Sequence, residues 1–147
     1  MRKHGKSRRR IFLWAIAPLL GAATACGDSD PVEPPPDPPV PGLIVVSLST
    51  PAQDDGAALF TITGPGSSTI QTANANYNLS WRLVSSGEVR ILVAGDITSG
   101  PVVTMQVGDI RRVGDYAGTM IEVADRTGAL RSTVSDRTLS FTTDAPP

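Results

Sequence analysis

Apolar residues recur at every second position along most of the chain after residue 42, which is the pattern of half-buried β-strands. No window of a dozen residues has helical spacing of apolar residues without a Gly or Pro. Strands are therefore predicted at Leu43–Ser49, Ala58–Thr63, Thr69–Ala73, Tyr77–Val84, Glu88–Ala94, Val103–Val107, Tyr116–Val123 and Leu139–Phe141.

Turn-forming residues separate these strands at intervals of about ten residues. Ser85-Ser86-Gly87 joins two of them into a predicted hairpin. Val107–Asp115 remains open as a loop or a single helical turn, with Ile110 and Val113 on one face. Seven to nine short strands predict an all-β fold, a single β-sandwich over residues 43–147.

The pattern also assigns side chains to the core. Val89, Ile91 and Val93 form a predicted inward row. Tyr77 and Trp81 share one strand face, and we interpret both as core because Leu79 and Leu83 continue their row. The alternative is an exposed aromatic row of the kind that binds sugars.

Three glycine-led segments add a family resemblance. Gly56–Ile62 resembles the G-A-L-x-F-x-L strand of cohesin-like domains, Gly87–Ile91 their G-x-V-R-I strand, and Gly100–Val107 their G-x-L-x-x-L-x-F strand. The resemblance spans Leu43–Phe141 and implies a jelly-roll-like sandwich of the cohesin and carbohydrate-binding-module superfold. It does not imply dockerin binding, because no residue of this chain matches a partner-contacting residue of the family.

The first 25 residues have the three parts of a secretory signal peptide. Six of the 13 Lys and Arg lie before residue 11, and Ile11–Ala25 is uncharged and apolar. This stretch of 15 residues is shorter than the roughly 20 that a membrane span needs. Cleavage is predicted between Ala25 and Cys26, and an uncleaved anchor helix is the alternative.

Ala23-Thr24-Ala25-Cys26 resembles a bacterial lipobox, although the family usually has Leu where Ala23 stands. In that family the Cys becomes the first mature residue and its thiol receives a diacylglycerol. Cys26 is the only Cys of the chain, so we predict a lipid anchor in a membrane. An ordinary A-x-A cleavage site that leaves a free thiol is the alternative.

Two further features concern export. Arg9-Arg10-Ile11-Phe12-Leu13 matches the twin-arginine pattern, which leaves the twin-arginine and general secretory routes both open. Gly27 follows Cys26, as in lipoproteins forwarded to the outer membrane. The predicted location is therefore the cell envelope, with the outer membrane favoured.

Residues 26–42 form a predicted linker. Seven of the eleven residues of Pro31–Pro41 are Pro, which favours an extended polyproline II spacer. Fifteen such residues would span roughly 45 Å. A PxxP ligand is the alternative.

The composition after residue 25 excludes several classes of site. It has no His and no Lys, and its only thiol is that of Cys26. Sites that need His, such as Ser-His-Asp triads and His-ligated zinc, are therefore excluded. Seven Arg against 14 acids give a formal charge of −7, which argues against nucleic-acid binding. No catalytic residue, metal ligand or cofactor is predicted.

The acids and two arginines offer only weak candidates. Beyond the linker the only Glu are Glu88 and Glu122, both at predicted solvent-facing positions. Arg111-Arg112 is interpreted as a solvated basic spot rather than a docking site. The acids in Asp54-Asp55-Gly56, Gly95-Asp96, Gly108-Asp109, Gly114-Asp115 and Asp125–Gly128 are interpreted as solvated turn formers, with a calcium loop as the alternative.

The sequence thus predicts a lipid-anchored, non-catalytic β-sandwich displayed for adhesion, interaction or assembly. Its partner is an envelope protein or a glycan, and the oligomeric state is open. A carbohydrate- or calcium-binding module is the alternative, and a hydrolase a remote one.

Overall fold

A computed structural model gives the fold of this chain and describes residues 36–144. The predicted signal peptide, the lipobox with Cys26, the Arg9-Arg10 pair and most of the linker lie outside the described residues. So do residues 145–147.

Eight β-strands and one short 3₁₀ helix make up the described part of the chain. Each predicted strand is present, with bounds that differ by a few residues. The open segment before residue 116 forms the 3₁₀ helix. In chain order the elements are β1 (Gly42–Ser49), β2 (Asp55–Thr63), β3 (Thr69–Thr72), β4 (Asn78–Ser85), β5 (Glu88–Ile97), β6 (Gly100–Val107), the 3₁₀ helix (Ile110–Asp115), β7 (Ala117–Asp125) and β8 (Thr138–Thr143).

The strands form two antiparallel sheets that pack face to face. Sheet A has the order β3-β6-β1-β8, and sheet B has the order β4-β5-β2-β7. Across the two sheets β3 contacts β4 and β7 contacts β8, so the edge strands face each other. The predicted all-β sandwich is confirmed.

The core lies between the sheets and uses alternate positions of each strand, as a period of two requires. Ile91 and Val93 are fully buried, and Val89 of the same predicted row is nearly so. One irregularity extends the core: a register shift between β1 and β6 leaves Val102 as an extra residue, and both Val102 and Val103 are buried. The central residues are Ile44, Val46, Leu48, Ala58, Phe60, Ile62, Met105, Val107 and Val123.

The 3₁₀ helix closes one end of the sandwich. The Asp109 side chain caps it by accepting the backbone N–H of Arg111. Ile110 and Val113 are both partly buried against the core, which agrees with the predicted shared face. Among the described helices, none has the length and apolar character needed to cross a membrane.

One predicted core row is wrong in its second half. Tyr77 is buried and Leu79 partly so, but Trp81 is 42% exposed and Leu83 is 64% exposed. Their positions on β4 pair with core residues of β5, so they lie on the core-facing side of sheet B. The opposing edge strand β3 has only four residues, and it leaves this half of β4 uncovered.

Candidate functional site

The candidate site is the outer edge of sheet B, formed by β4. Within the described residues, β4 pairs with β5 alone, and no hydrogen bond joins its other side to another element. An edge strand presents alternate N–H and C=O groups that have no ladder partner. The β4 edge therefore offers main-chain donors and acceptors to an added strand.

Apolar side chains accompany these backbone groups. Trp81, Leu83 and Val84 are all more than 40% exposed, and they lie within four consecutive residues. We call these three residues the apolar rim. A long, exposed and apolar edge strand is the type of surface that pairs with another chain, and many proteins guard such an edge with an inward-pointing charge. On β4 the core-facing positions at this end carry Trp and Leu instead.

The outer face of sheet B carries a shallow groove beside this rim, with a volume of about 300 Å³. We call it the arginine groove. Arg82 of β4 lies directly across from Arg90 of β5 in the strand register. Like charges directly opposite each other destabilise a strand pair. The groove is lined by Leu59, Ser80, Trp81, Arg82, Arg90 and Leu92.

The two groove arginines differ from the other arginines in the described part of the chain. Residues 36–144 contain seven Arg and eleven acids, so carboxylates are in excess. Arg82 and Arg90 nevertheless form no ion pair among these residues, and the Arg90 Nε, like the Arg131 Nε, is enclosed without a hydrogen-bond partner there. The five arginines that do form ion pairs are Arg111, Arg112, Arg126, Arg131 and Arg137. Among residues 36–144, the groove thus holds the two arginines that form no ion pair.

Asp55 is not the solvated turn residue that its Asp-Asp-Gly context predicted. It is the first residue of β2, and it is fully buried. Arg137 donates to it through Nε and Nη2, each at 2.9 Å, and the Thr50 hydroxyl donates at 2.7 Å. This paired carboxylate holds the segment before β8 against the start of β2, which is a structural role.

Opposing effects act on the Asp55 carboxyl. Burial raises its pKa, but hydrogen bonds from Arg137 and Thr50 and the charges of Arg137 and Arg131 outweigh burial. The pKa of Asp55 is therefore held below its ordinary value, and the carboxylate stays ionised at neutral pH. A group held in this way is not poised to exchange a proton near pH 7.

Glu88 and Glu122 do not form the facing pair that glycoside hydrolysis requires. In the register Glu88 lies across from Thr63 and Glu122 across from Leu59, on opposite sides of β2. Their separation along β2 is therefore four residues, or about 13 Å. Paired glycosidase carboxylates lie about 5–9.5 Å apart. The geometry therefore gives the hydrolase alternative no support.

The other acids of the predicted turns are engaged within the fold. Asp96 pairs with Arg126 at 2.8 Å and Asp115 with Arg112 at 2.8 Å. Asp125 accepts the N–H groups of Thr127 and Ala129, and this turn is present as predicted. Across residues 36–144, no group of three or more His, Cys, Asp or Glu side chains is placed to hold a metal ion. The calcium alternative thus gains no support from the described loops.

Arg111 is more than a solvated basic spot. It is half-exposed and pairs with Asp109, and its Nη2 also donates to the Pro38 carbonyl at 2.8 Å. The backbone N–H of Ile110 donates to the Val40 carbonyl at 2.8 Å. The hydrogen bond from Arg111 holds the pKa of Asp109 well below its usual range. The last residues of the Pro-rich segment are therefore fixed to the 3₁₀ helix.

Sequence reasoning identified Trp81 but not the groove beside it. The exposed aromatic row was the alternative to a core assignment, and only Trp81 of the pair Tyr77 and Trp81 fits it. The signal for the arginine groove was present in the hairpin, because a tight turn at Ser85–Gly87 places Arg82 near Arg90 on one face. No known protein family, curated protein or solved structure matches this chain, so the cohesin-like resemblance stays a prediction.

Proposed function

We propose that this chain is a lipid-anchored, non-catalytic binding module of the cell envelope, and that the β4 edge is where it docks a partner. The lipobox at Ala23–Cys26 supports the anchor, and the Pro-rich segment supports display away from the membrane. The composition after residue 25 argues against an enzyme that depends on His or Lys. The proposed location is the outer membrane.

One observation carries the docking proposal: the apolar rim is exposed on a strand whose outer side has no partner in the described residues. Exposed apolar area of this kind contributes about 25 cal/mol per Å² when a partner covers it. Strand addition also satisfies the free backbone groups of an edge. Together these two contributions favour protein binding in an extended conformation.

Leu83→Lys should abolish docking while leaving the fold intact. Leu83 is 64% exposed, so the free energy of unfolding should change by no more than about 0.5 kcal/mol. A Lys on the core-facing side of an edge strand opposes strand addition. A photo-crosslinking amino acid at Asn78 should capture a discrete envelope protein, and Leu83→Lys should lower its yield at least tenfold.

Leu130 provides the matched control. It is 69% exposed and lies after β7, away from β4, so Leu130→Lys makes the same substitution on another surface. This control should leave the crosslink unchanged. An equal loss in both variants, or an undiminished crosslink in Leu83→Lys, would contradict docking at the β4 edge.

The exposure of Trp81 favours a second candidate, a glycan-binding module. An exposed indole offers a flat apolar face on which a sugar ring can stack. A glycan array probed with the full chain should then give signals that Trp81→Ala removes. Signals unchanged in Trp81→Ala, or no signal at all, would reject this candidate.

A further inference from the structure

We infer that the partner of the β4 edge is an extended polypeptide strand in which acidic and apolar residues alternate. This inference rests on the proposed docking at β4 and adds the chemistry of the partner. Its carboxylates would lie beside Arg82 at the edge of the arginine groove, and its apolar side chains would cover Trp81 and Leu83.

The alternation follows from the geometry of an added strand. Successive side chains of a strand point to opposite faces, and directly opposed residues share a face. Arg82 faces outward on β4, whereas Trp81 and Leu83 face the core side. A strand that pairs with β4 therefore meets a cation on one face and two apolar side chains on the other. Only an alternating sequence satisfies both faces at once.

The charge of the partner follows from the arginine groove. Among the described residues, Arg82 and Arg90 oppose each other without an ion pair, and acids outnumber arginines in this part of the chain. A carboxylate placed across from Arg82 would relieve the repulsion and accept hydrogen bonds in a bidentate geometry. Apolar Leu59 and Leu92 line the same groove and would lower the screening of that pair by water.

Two other occupants fit this surface poorly. A second copy of the chain, paired through its own β4, would bring further arginines to a groove that already has two. The Pro-rich segment Pro31–Pro41 cannot form a strand ladder, because Pro has no backbone N–H to donate. The free backbone groups along β4 suit a polypeptide better than a sugar.

The test uses peptides as probes and Trp81 as the reporter. Trp14 and Trp81 are the only tryptophans of the sequence, and the predicted cleavage before Cys26 removes Trp14, so the mature protein has a single indole at the site. Blocked peptides of equal length, alternating Val with Glu, Lys or Ser, are titrated against this protein in detergent. The Glu peptide should shift the Trp81 emission to shorter wavelength and bind at least tenfold more tightly than the Lys peptide.

Charge reversal at the groove is the decisive experiment. Arg82→Glu should reverse the preference, so that the Lys peptide binds more tightly than the Glu peptide. Arg112→Glu makes the same change in net charge at the 3₁₀ helix, and it should leave the preference for Glu intact. Raising the salt concentration should weaken the binding of the Glu peptide more than that of the Ser peptide.

The outcomes separate this inference from the proposed function. If all peptides bind equally and Leu83→Lys abolishes their binding, the inference of an acidic partner is wrong but docking at β4 is supported. Binding that neither Arg82→Glu nor Leu83→Lys alters would overturn both. No peptide binding, with glycans binding at Trp81, would also overturn both and leave the glycan candidate. If the protein prefers the Glu peptide and Arg82→Glu reverses this preference, the inference is supported.

Discussion

Arg137→Met is expected to lower the free energy of unfolding by about 3–5 kcal/mol, the cost of leaving a buried charge without its partner. Asp55 is fully buried, and the Arg137 side chain is 4% exposed. Both Asp55 oxygens accept from Arg137, so the substitution removes two hydrogen bonds and the nearer opposing charge, and it leaves only Arg131, whose Nε lies 3.4 Å from Asp55. Urea denaturation of the full chain, followed by circular dichroism, would measure the loss.

Two controls separate the buried pair from a general effect of removing an arginine. Arg112→Met breaks an exposed pair with Asp115 and should cost only about 0.2–1 kcal/mol. Asp55→Val combined with Arg137→Met removes both buried charges and should recover at least half of the loss. Full recovery is not expected, because the Thr50 hydroxyl loses its acceptor. A cost for Arg137→Met no larger than that of Arg112→Met would refute the buried-pair interpretation.

The pH dependence of stability gives an independent readout of the same pair. The folded-state pKa of Asp55 is lowered, so its contribution is present above the unfolded-state pKa of about 3.9. That contribution is lost as the pH falls through the lower folded-state value. Arg137→Met removes the Arg137 hydrogen bonds and charge that lower the pKa of Asp55, so that pKa should rise and the variant should lose less stability on acidification. The difference in unfolding free energy between the two proteins should therefore narrow from pH 7 to pH 3.

Local patterns predicted the fold because each strand shows its own alternation. The predicted inward row of Val89, Ile91 and Val93 is buried, and so are the alternating residues Ala58, Phe60 and Ile62 of β2. The sequence pattern did not distinguish a loop from a helical turn in the segment before residue 116. Its form depends on the Asp109 cap and on contacts with Val40, which a local pattern does not contain.

The errors arose where burial depends on distant parts of the chain. The apolar row of β4 continues to Leu83, but its exposure is decided by the length of β3 in the other sheet. Asp55 reads as a turn residue locally, and its partner Arg137 is 82 positions away in the sequence. Neither feature can be predicted without knowing how the two sheets pack. The same long-range information revealed the β4 edge and its arginine groove.

The consequence of the β4 edge depends on where the protein is held. An edge free in solution would meet its own copies and other exposed strands at random, and apolar edges of this kind promote aggregation. A molecule anchored in a membrane and lifted by a stiff spacer meets partners mainly along the surface of that membrane. The predicted anchor and the free edge therefore support one another as parts of a displayed binding module.

Cys26→Ser should release the protein from the envelope into the soluble fraction. Each buried methylene of an acyl chain stabilises membrane attachment by about 0.8 kcal/mol, so two chains together provide stable anchoring. Ser cannot form the thioether to which the diacylglycerol is attached. Fractionation, intact mass and incorporation of labelled palmitate into wild type and variant would measure the effect. Wild type should carry acyl mass on a chain that starts at Cys26, and nearly all of it should be in the membrane.

The substitution Cys26→Ala tests whether loss of the sulfur, rather than a hydroxyl effect, causes release, and it should behave like Cys26→Ser. Leu83→Lys should stay in the membrane but lose the crosslink at β4, which separates anchoring from docking. Wild type that starts at Cys26 without acyl mass would refute the lipid anchor. The free thiol would then be reactive in an oxidising compartment, and a partner linked by a disulfide would become the expected ligand.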